Sequence, residues 1–329
     1  TVAMSTSFKI DVSNKAFKAI HLAKSIAKLS LCGNDYFLYE KGEKCFLGLG
    51  VNARIIGDTS GLVKYATPFD EQQFSGKPIE ELIEQAIACA NQDDWRIYGL
   101  VYFDYSRLVH SLNVDSDSHS KTIDFSLPKV DIEISKTEIE VKVATNSGVE
   151  PTKIEQALHA LLEDSAISAM DSFAKQGVIR KFNILEDDHY QRHVEDAVQR
   201  INNNDFLKVI LSRRVHIPFD VDFLASFASA RSNNTPARSF IYNLEQSAVA
   251  GLSPETVVEV SSDGLVSTQP LAGTRALGEN LEQEAMLKAD LLSDSKEIAE
   301  HAMSVKLAVE EMESVCRPET VSVSEFMDV

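Results

Sequence analysis

The 329-residue sequence is short of cysteine, of basic charge and of long apolar runs, and each shortage closes off a class of protein. Its four cysteines, Cys32, Cys45, Cys89 and Cys316, are widely scattered. They show neither zinc-type spacing nor a disulfide framework, so reduced buried thiols are expected. Nothing approaches the ~18 consecutive apolar residues of a membrane-spanning helix. Thr1–Ile10 has no basic segment followed by an apolar one, so no secretory signal is read there and a cytoplasmic enzyme is expected. Lys and Arg total 32 against 50 Asp and Glu, a formal net charge of −18. Nucleic-acid binding wants a basic stripe, so neither a nucleic acid nor a membrane is expected as a partner. The same negative field repels an anionic substrate at long range. Such a substrate therefore needs a local metal ion or clustered Lys and Arg. Oligomeric state is left open.

What is present suits a soluble globular protein with a sizeable core: 44% hydrophobic and 25% charged residues. There is no internal repeat, low-complexity tract or Pro/Ser linker, and Ser116–Lys121 reads only as a polar loop. Asn14–Ser30 reads as a helix with Asn14 as its cap and Phe17, Ile20, Ala23 and Ala27 on one face. A second helix starts at Pro78, with Ile79, Leu82, Ile83, Ala86 and Ala90 at helical spacing. Tyr36–Glu40 and Cys45–Leu49 predict a hairpin about Lys41, Gly42 and Glu43. A stronger hairpin signal is the strict alternation of Val130, Ile132, Ile134 and Ile139, Val141, Val143 around Ser135–Thr137. Arg96–Tyr105 reads as a strand. A long helix follows Pro151 through Leu158, Leu162 and Ile167 toward Phe173, closed by Gly177, and another covers His189–Asn202. Short strands are read at Leu207–Val215, Arg238–Leu244, Thr256–Val260 and Leu265–Thr268, with a last helix at Ser295–Val315. Strand-rich stretches broken by long helices, without regular alternation, predict an α+β fold with large antiparallel sheets.

Several segments carry residues with chemistry. Period-two alternation in Lys208–Val215 puts Lys208, Ile210, Ser212 and Arg214 on one strand face. A lysine there is either a solvated end residue or, if desolvated, a base near neutral pH. Glu255 ends a Pro-bearing turn, Gly251–Glu255, that leads into a strand, and is a surface turn residue or an aimed acid. In Gln269–Arg275, Gly273 permits close backbone approach to a ligand and Thr274 offers a hydroxyl, although a plain loop glycine explains Gly273 equally well. Glu297 and Glu300 stand three apart in a first helical turn. They share one face and can converge on a hard cation, or simply answer the helix dipole. His189 and His193 stand four apart, but no third zinc ligand accompanies them, and Tyr190 and Val194 explain that face as packing. The pair Arg213–Arg214 suits a carboxylate or solvent.

In this order the segments Lys208-Val-Ile-Leu-Ser-Arg, Asn234–Phe240, Leu252-Ser-Pro-Glu255, Pro270-Leu-Ala-Gly-Thr-Arg275 and Ser295–His301 resemble the chorismate-utilising family. That family contains isochorismate, salicylate, anthranilate and aminodeoxychorismate synthases. Phe46–Arg54 and Pro270–Gly278 are most similar to the salicylate synthases. The resemblance implies Mg2+-dependent conversion of chorismate to isochorismate and then to salicylate and pyruvate. It makes Lys208 the general base for water, Glu255 the general acid, Leu271, Gly273 and Thr274 substrate contacts, and Glu300 with Glu297 metal-binding carboxylates. A siderophore pathway is expected by analogy. Family members continue beyond the position of Val329 into a region with further metal and carboxylate-binding groups. The resemblance therefore makes residues 1–329 the N-terminal and middle part of one chorismate-binding domain, with 1–180 its N-terminal portion and 181–329 the first part of its catalytic region. The alternatives are an isochorismate synthase that stops after one step and an inactive remnant serving as a binding module.

Overall fold

Alternating apolar and polar residues decide the largest of the antiparallel sheets. The computed structural model describes residues 5–90, 94–112, 120–164 and 188–329. The chain opens with β1 (Ser5–Asp11), α1 (Ala19–Lys28), β2 (Tyr36–Lys41), β3 (Lys44–Leu49), β4 (Ala53–Asp58), β5 (Val63–Ala66) and β6 (Glu71–Phe74). It continues with α2 (Ile79–Ala90), β7 (Tyr98–Val101), α3 (Asp104–Val109), β8 (Lys121–Leu127), β9 (Val130–Ile134), β10 (Glu138–Ala144) and α4 (Pro151–Glu163). After residue 187 come α5 (Asp188–Asn202), α6 (Phe223–Ser232), β11 (Arg238–Leu244), β12 (Ser247–Ser253), β13 (Glu259–Val260), β14 (Val266–Ser267), α7 (Leu281–Ser293) and α8 (Ser295–Val315).

Seven strands form one sheet in the order β1-β10-β9-β3-β2-β11-β12, and five form another in the order β6-β5-β4-β8-β7. Both predicted hairpins are present. Lys41 pairs with Lys44 across a tight turn in which Gly42 has φ +59°, the sign such a turn requires of its first residue. Ile132 and Ile134 face Val141 and Ile139 in β9–β10. The inward residues of these strands pack on α1, α4 and α6, with Leu38, Leu47, Ile132, Val141 and Leu158 almost wholly buried. Ile55, Val63, Ile123 and Leu82 make a second core between the five-stranded sheet and α2.

Between the sheets lies an aromatic cluster of Phe37, Tyr98 and Tyr242, flanked by charge. Tyr98 donates its hydroxyl proton to the buried Asp131 at 2.8 Å, and Arg96 reaches Asp131 and Glu133. Nearby, Arg54 grips Asp124 with two bonds of 2.9 and 2.7 Å, and Lys121 adds a third at 2.8 Å.

The link between early and late parts of the chain is β11, which inserts beside β2 with Phe240 opposite Tyr39 and Ile241 opposite Leu38. The junction buries Glu40, which is 7% exposed. Arg231 on α6 donates to both its oxygens at 2.7 and 2.9 Å, and the Ser239 hydroxyl donates to one of them.

Several expectations are corrected. The first helix begins at Ala19 rather than Asn14, and the residue at its N-cap position is Lys18, with no side-chain cap. The strand over Arg96–Tyr105 shrinks to Tyr98–Val101, because Tyr102 and Phe103 accept from Tyr105 and Ser106 N–H groups and start α3. Thr256–Val260 and Leu265–Thr268 keep only a two-residue ladder, Glu259–Val260 with Val266–Ser267. The helix after Pro151 is described to Glu163, and its expected continuation to Phe173 and Gly177 lies outside the described residues. All four cysteines are free, but only Cys45 is buried, and the other three are half-buried. Among the described residues no helix is long and apolar enough to cross a membrane.

Two outcomes follow. Arg231→Met leaves the Glu40 carboxylate in the sheet with only a hydroxyl donor and should cost about 3–5 kcal/mol, read by urea unfolding. Burial alone would raise the Asp124 carboxyl, but the hydrogen bonds and charges of Arg54 and Lys121 outweigh it and hold the group below the usual carboxylate range. Its stabilisation is thus complete above the unfolded value of roughly 4 and disappears as pH falls through the lower folded value. Asp124→Asn should flatten the acid limb of the stability–pH curve, and an unchanged limb would show that other carboxylates set it.

Candidate active site

The site grows from the sheet end where β2 meets β11. Lys41 and Arg238, one from each strand, both pair with Glu259 at the start of β13, Arg238 at 2.7 Å. That tie fixes the β13–β14 hairpin, which Gln269 N and Thr268 Oγ1 extend by donating to the carbonyls of Thr256 and Val257. The two arms carry Glu255 and Leu271 side by side, and the Leu271 N–H donates to Glu255 Oε2 at 2.6 Å.

The chain then turns at Gly273, whose φ of +86° is open to glycine at little cost. The turn lies against the first turn of α8. Asp294 caps that helix, accepting from Lys296 N at 2.9 Å and Glu297 N at 3.2 Å. Glu297 in turn accepts from the Thr274 N–H at 3.1 Å. Lys296 Nζ lies 2.9 Å from Glu297 Oε1 and 3.0 Å from Glu300 Oε2, and Lys208 Nζ lies 3.6 Å from Glu300 Oε1. The Lys296 hydrogen bond and the Thr274 N–H hold Glu297 below the usual carboxylate range, and Lys296 does the same for Glu300.

Four segments far apart in sequence thus meet. One run of contacts joins Lys208, Glu300, Lys296, Glu297 and Thr274, with Gly273 beside Glu297, and a second joins Glu255 to Leu271 two residues before Gly273. Glu297 and Glu300 both reach a single ammonium, so one small cation can bridge them, and carboxylate oxygens are the donors magnesium prefers. They fit as part of its shell, because magnesium keeps waters and substrate oxygens for the remainder. Among the described residues no group of three or more His, Cys, Asp or Glu is placed to hold a metal.

Lys208 does not lie on a strand. Residues 207–217 have no regular secondary structure, and Ile210, expected beside Lys208 on a packed face, is 82% exposed. A strand needs a ladder partner, and among the described residues none lies alongside this segment. Ile298, Met303, Val305 and Leu307, apolar residues of α8, are likewise not buried. Arg213 stacks its guanidinium 5.3 Å from the Tyr190 ring, which occupies one of the two arginines left open by the sequence. A cavity of about 850 Å³ opens elsewhere, between α6 and β12, and shares no lining residue with this site.

Sequence reasoning passed over Lys296, Asp290, Asp294 and the role of Arg275. Asp294 had a signal: an acidic cap three residues before Glu297 is the spacing of a helix N-terminus. Gly273→Ala is the sharpest local probe, since an added Cβ would lie 3.3 Å from the Glu297 carbonyl and carboxylate oxygens in a left-handed backbone. It should cost about 1–2 kcal/mol in chemical denaturation. A neutral result would mean that the turn relaxes freely.

The family described as chorismate binding enzyme matches residues 34–329. A salicylate synthase of Mycolicibacterium paratuberculosis is 32% identical over 301 residues, covering 90% of this chain and 63% of that protein. An anthranilate synthase component 1 of Pseudomonas aeruginosa is 38% identical over 137 residues, 40% of this chain and 28% of that one. In three dimensions the chain is similar to the menaquinone-specific isochorismate synthase from Escherichia coli, with a TM-score of 0.55 at 15% identity over 94% of this chain and 64% of the other. The chain therefore spans less than two thirds of the length of these relatives.

Proposed function

The chain belongs to the chorismate-binding enzymes, and we propose that it serves a magnesium-dependent salicylate synthase that works through isochorismate. The observation that carries the reading is the convergence of Lys208, Glu297, Glu300 and the Gly273–Thr274 turn in one run of contacts. Similarity to a salicylate synthase over 90% of the chain supports the two-step product over isochorismate alone. On this reading residues 181–329 are the first part of the catalytic region.

Magnesium, held by Glu300 and Glu297, would supply positive charge to a substrate carboxylate in a protein of net charge −18. The chain's own groups do the proton work. Lys208 takes a proton from water as the water oxygen bonds to C2 of chorismate. Both ring double bonds shift, the C4–O bond breaks, and Glu255 gives its proton to the departing hydroxyl, which leaves as water. One water is consumed and one released, so the first product, isochorismate, is an isomer of the substrate. Acid and base belong to separate segments with separate surroundings, Glu255 beside the Leu271 N–H and Lys208 beside Glu300. Thr274 and Gly273 line the turn where the substrate would lie, with Leu271 at its entry. Isochorismate then loses pyruvate to leave salicylate.

The test is product analysis of the full-length protein given chorismate with Mg2+ or with excess EDTA. Salicylate and pyruvate in equal amounts, lost in EDTA, are expected. Isochorismate alone would favour a one-step synthase, and turnover that survives EDTA would remove the metal. Lys208→Ala should lower turnover by ~10²–10⁴ with the fold intact, the usual worth of a general base.

A further inference from the structure

We infer that Arg275 is a positioning residue that fixes Glu297 for cation binding, an assignment resting on the reading of Glu297 as a metal-holding carboxylate. Arg275 follows Thr274 directly, yet its side chain turns toward the junction of α7 and α8, where it is 23% exposed. Its Nε donates to Asp290 at 2.6 Å, one terminal nitrogen donates to Asp294 at 2.7 Å, and the other donates to the Thr274 carbonyl at 3.0 Å. That last nitrogen also stands 3.6 Å from Glu297 Oε1.

A planar guanidinium addresses these directions at once, which an ammonium cannot do. Each partner has a defined place. Asp290 lies in the last turn of α7, Asp294 caps α8, and Thr274 hands its N–H to Glu297. Arg275 thus locks the 271–274 turn, the helix junction and Glu297 into one arrangement. Without it Asp290, Asp294 and Glu297 face one another with their mutual repulsion less compensated. Glu297 then keeps Thr274 N and the largely exposed Lys296 as partners.

Two effects compete when Arg275 is changed. Removing a cation 3.6 Å from a metal-binding carboxylate favours Mg2+, whereas releasing that carboxylate opposes it. Loss of a supporting partner of a metal ligand typically weakens metal affinity ~10–100-fold, which exceeds the effect of a partly exposed charge. Arg275→Lys separates the two, since it keeps the charge and loses the fork.

The experiment is calorimetric titration of the full-length protein with MgCl2, alongside thermal unfolding of each variant. Arg275→Lys and Arg275→Gln should both raise the Mg2+ Kd about tenfold. In a Glu297→Gln background, Arg275→Gln should add nothing further, because its effect passes through Glu297. Parental affinity in Arg275→Lys, or tighter binding in Arg275→Gln, would show that only charge matters and overturn the assignment. An equal loss with and without Glu297 would make Arg275 a general structural clamp and overturn it as well. A parent protein that binds no Mg2+ would instead sink the metal reading, and the assignment with it.

Discussion

The buried carboxylate of Glu40 is the constraint on which the arrangement depends. It enters the seven-stranded sheet from β2, and its donors, Arg231 and Ser239, come from 191 and 199 residues further along the chain. An ionised carboxylate inside a sheet is costly unless every acceptor direction is used, so Glu40 admits α6 and β11 in one position only. With β11 fixed against β2, Lys41 and Arg238 become neighbours and share Glu259. The β13–β14 hairpin, and with it Glu255 and the Gly273 turn, is hung from that shared carboxylate. The geometry of the site is thus inherited from the register of one strand pair.

At the site itself, charge is arranged against the protein's overall field. The molecule carries −18, but Lys208, Arg275 and Lys296 are gathered around the opening turn of α8. Each is matched to a carboxylate, so the group is close to neutral and its geometry is set by hydrogen bonds to Asp294 and Glu297 and by ion pairs to Glu300. Asp294 serves two elements, capping α8 and receiving Arg275, which makes the helix junction stiffer than a one-residue connection would otherwise be.

Where sequence reasoning went astray, a partner was assumed that local pattern cannot supply. Lys208–Val215 alternates as a strand should, yet no neighbouring strand lies alongside it among the described residues, and Ile210 stands in solvent. Tyr102 and Phe103 carry strand propensity, but their carbonyls are claimed by a helical turn. Asn14 has the chemistry of a cap, but the buried face of α1 starts only at Ile20, and the helix begins where its packing does.

What the sequence determined unaided was local or cumulative. The hairpins at Gly42 and Ser135–Thr137 and the bounds of α8 follow from periodicity, turn residues and capping, all within a few positions of one another. The order of motifs pointed to Lys208, Glu255, Gly273, Thr274, Glu297 and Glu300. Only the tertiary structure decided that Glu40 is buried beneath Arg231, that β11 lies beside β2, and that Lys296 and Arg275 stand between the predicted groups. The reason is physical: ladder pairing, burial of a charge and the sharing of one carboxylate by two cations depend on residues brought together across most of the chain. No short window of sequence contains Glu40 together with Arg231, or β2 together with β11.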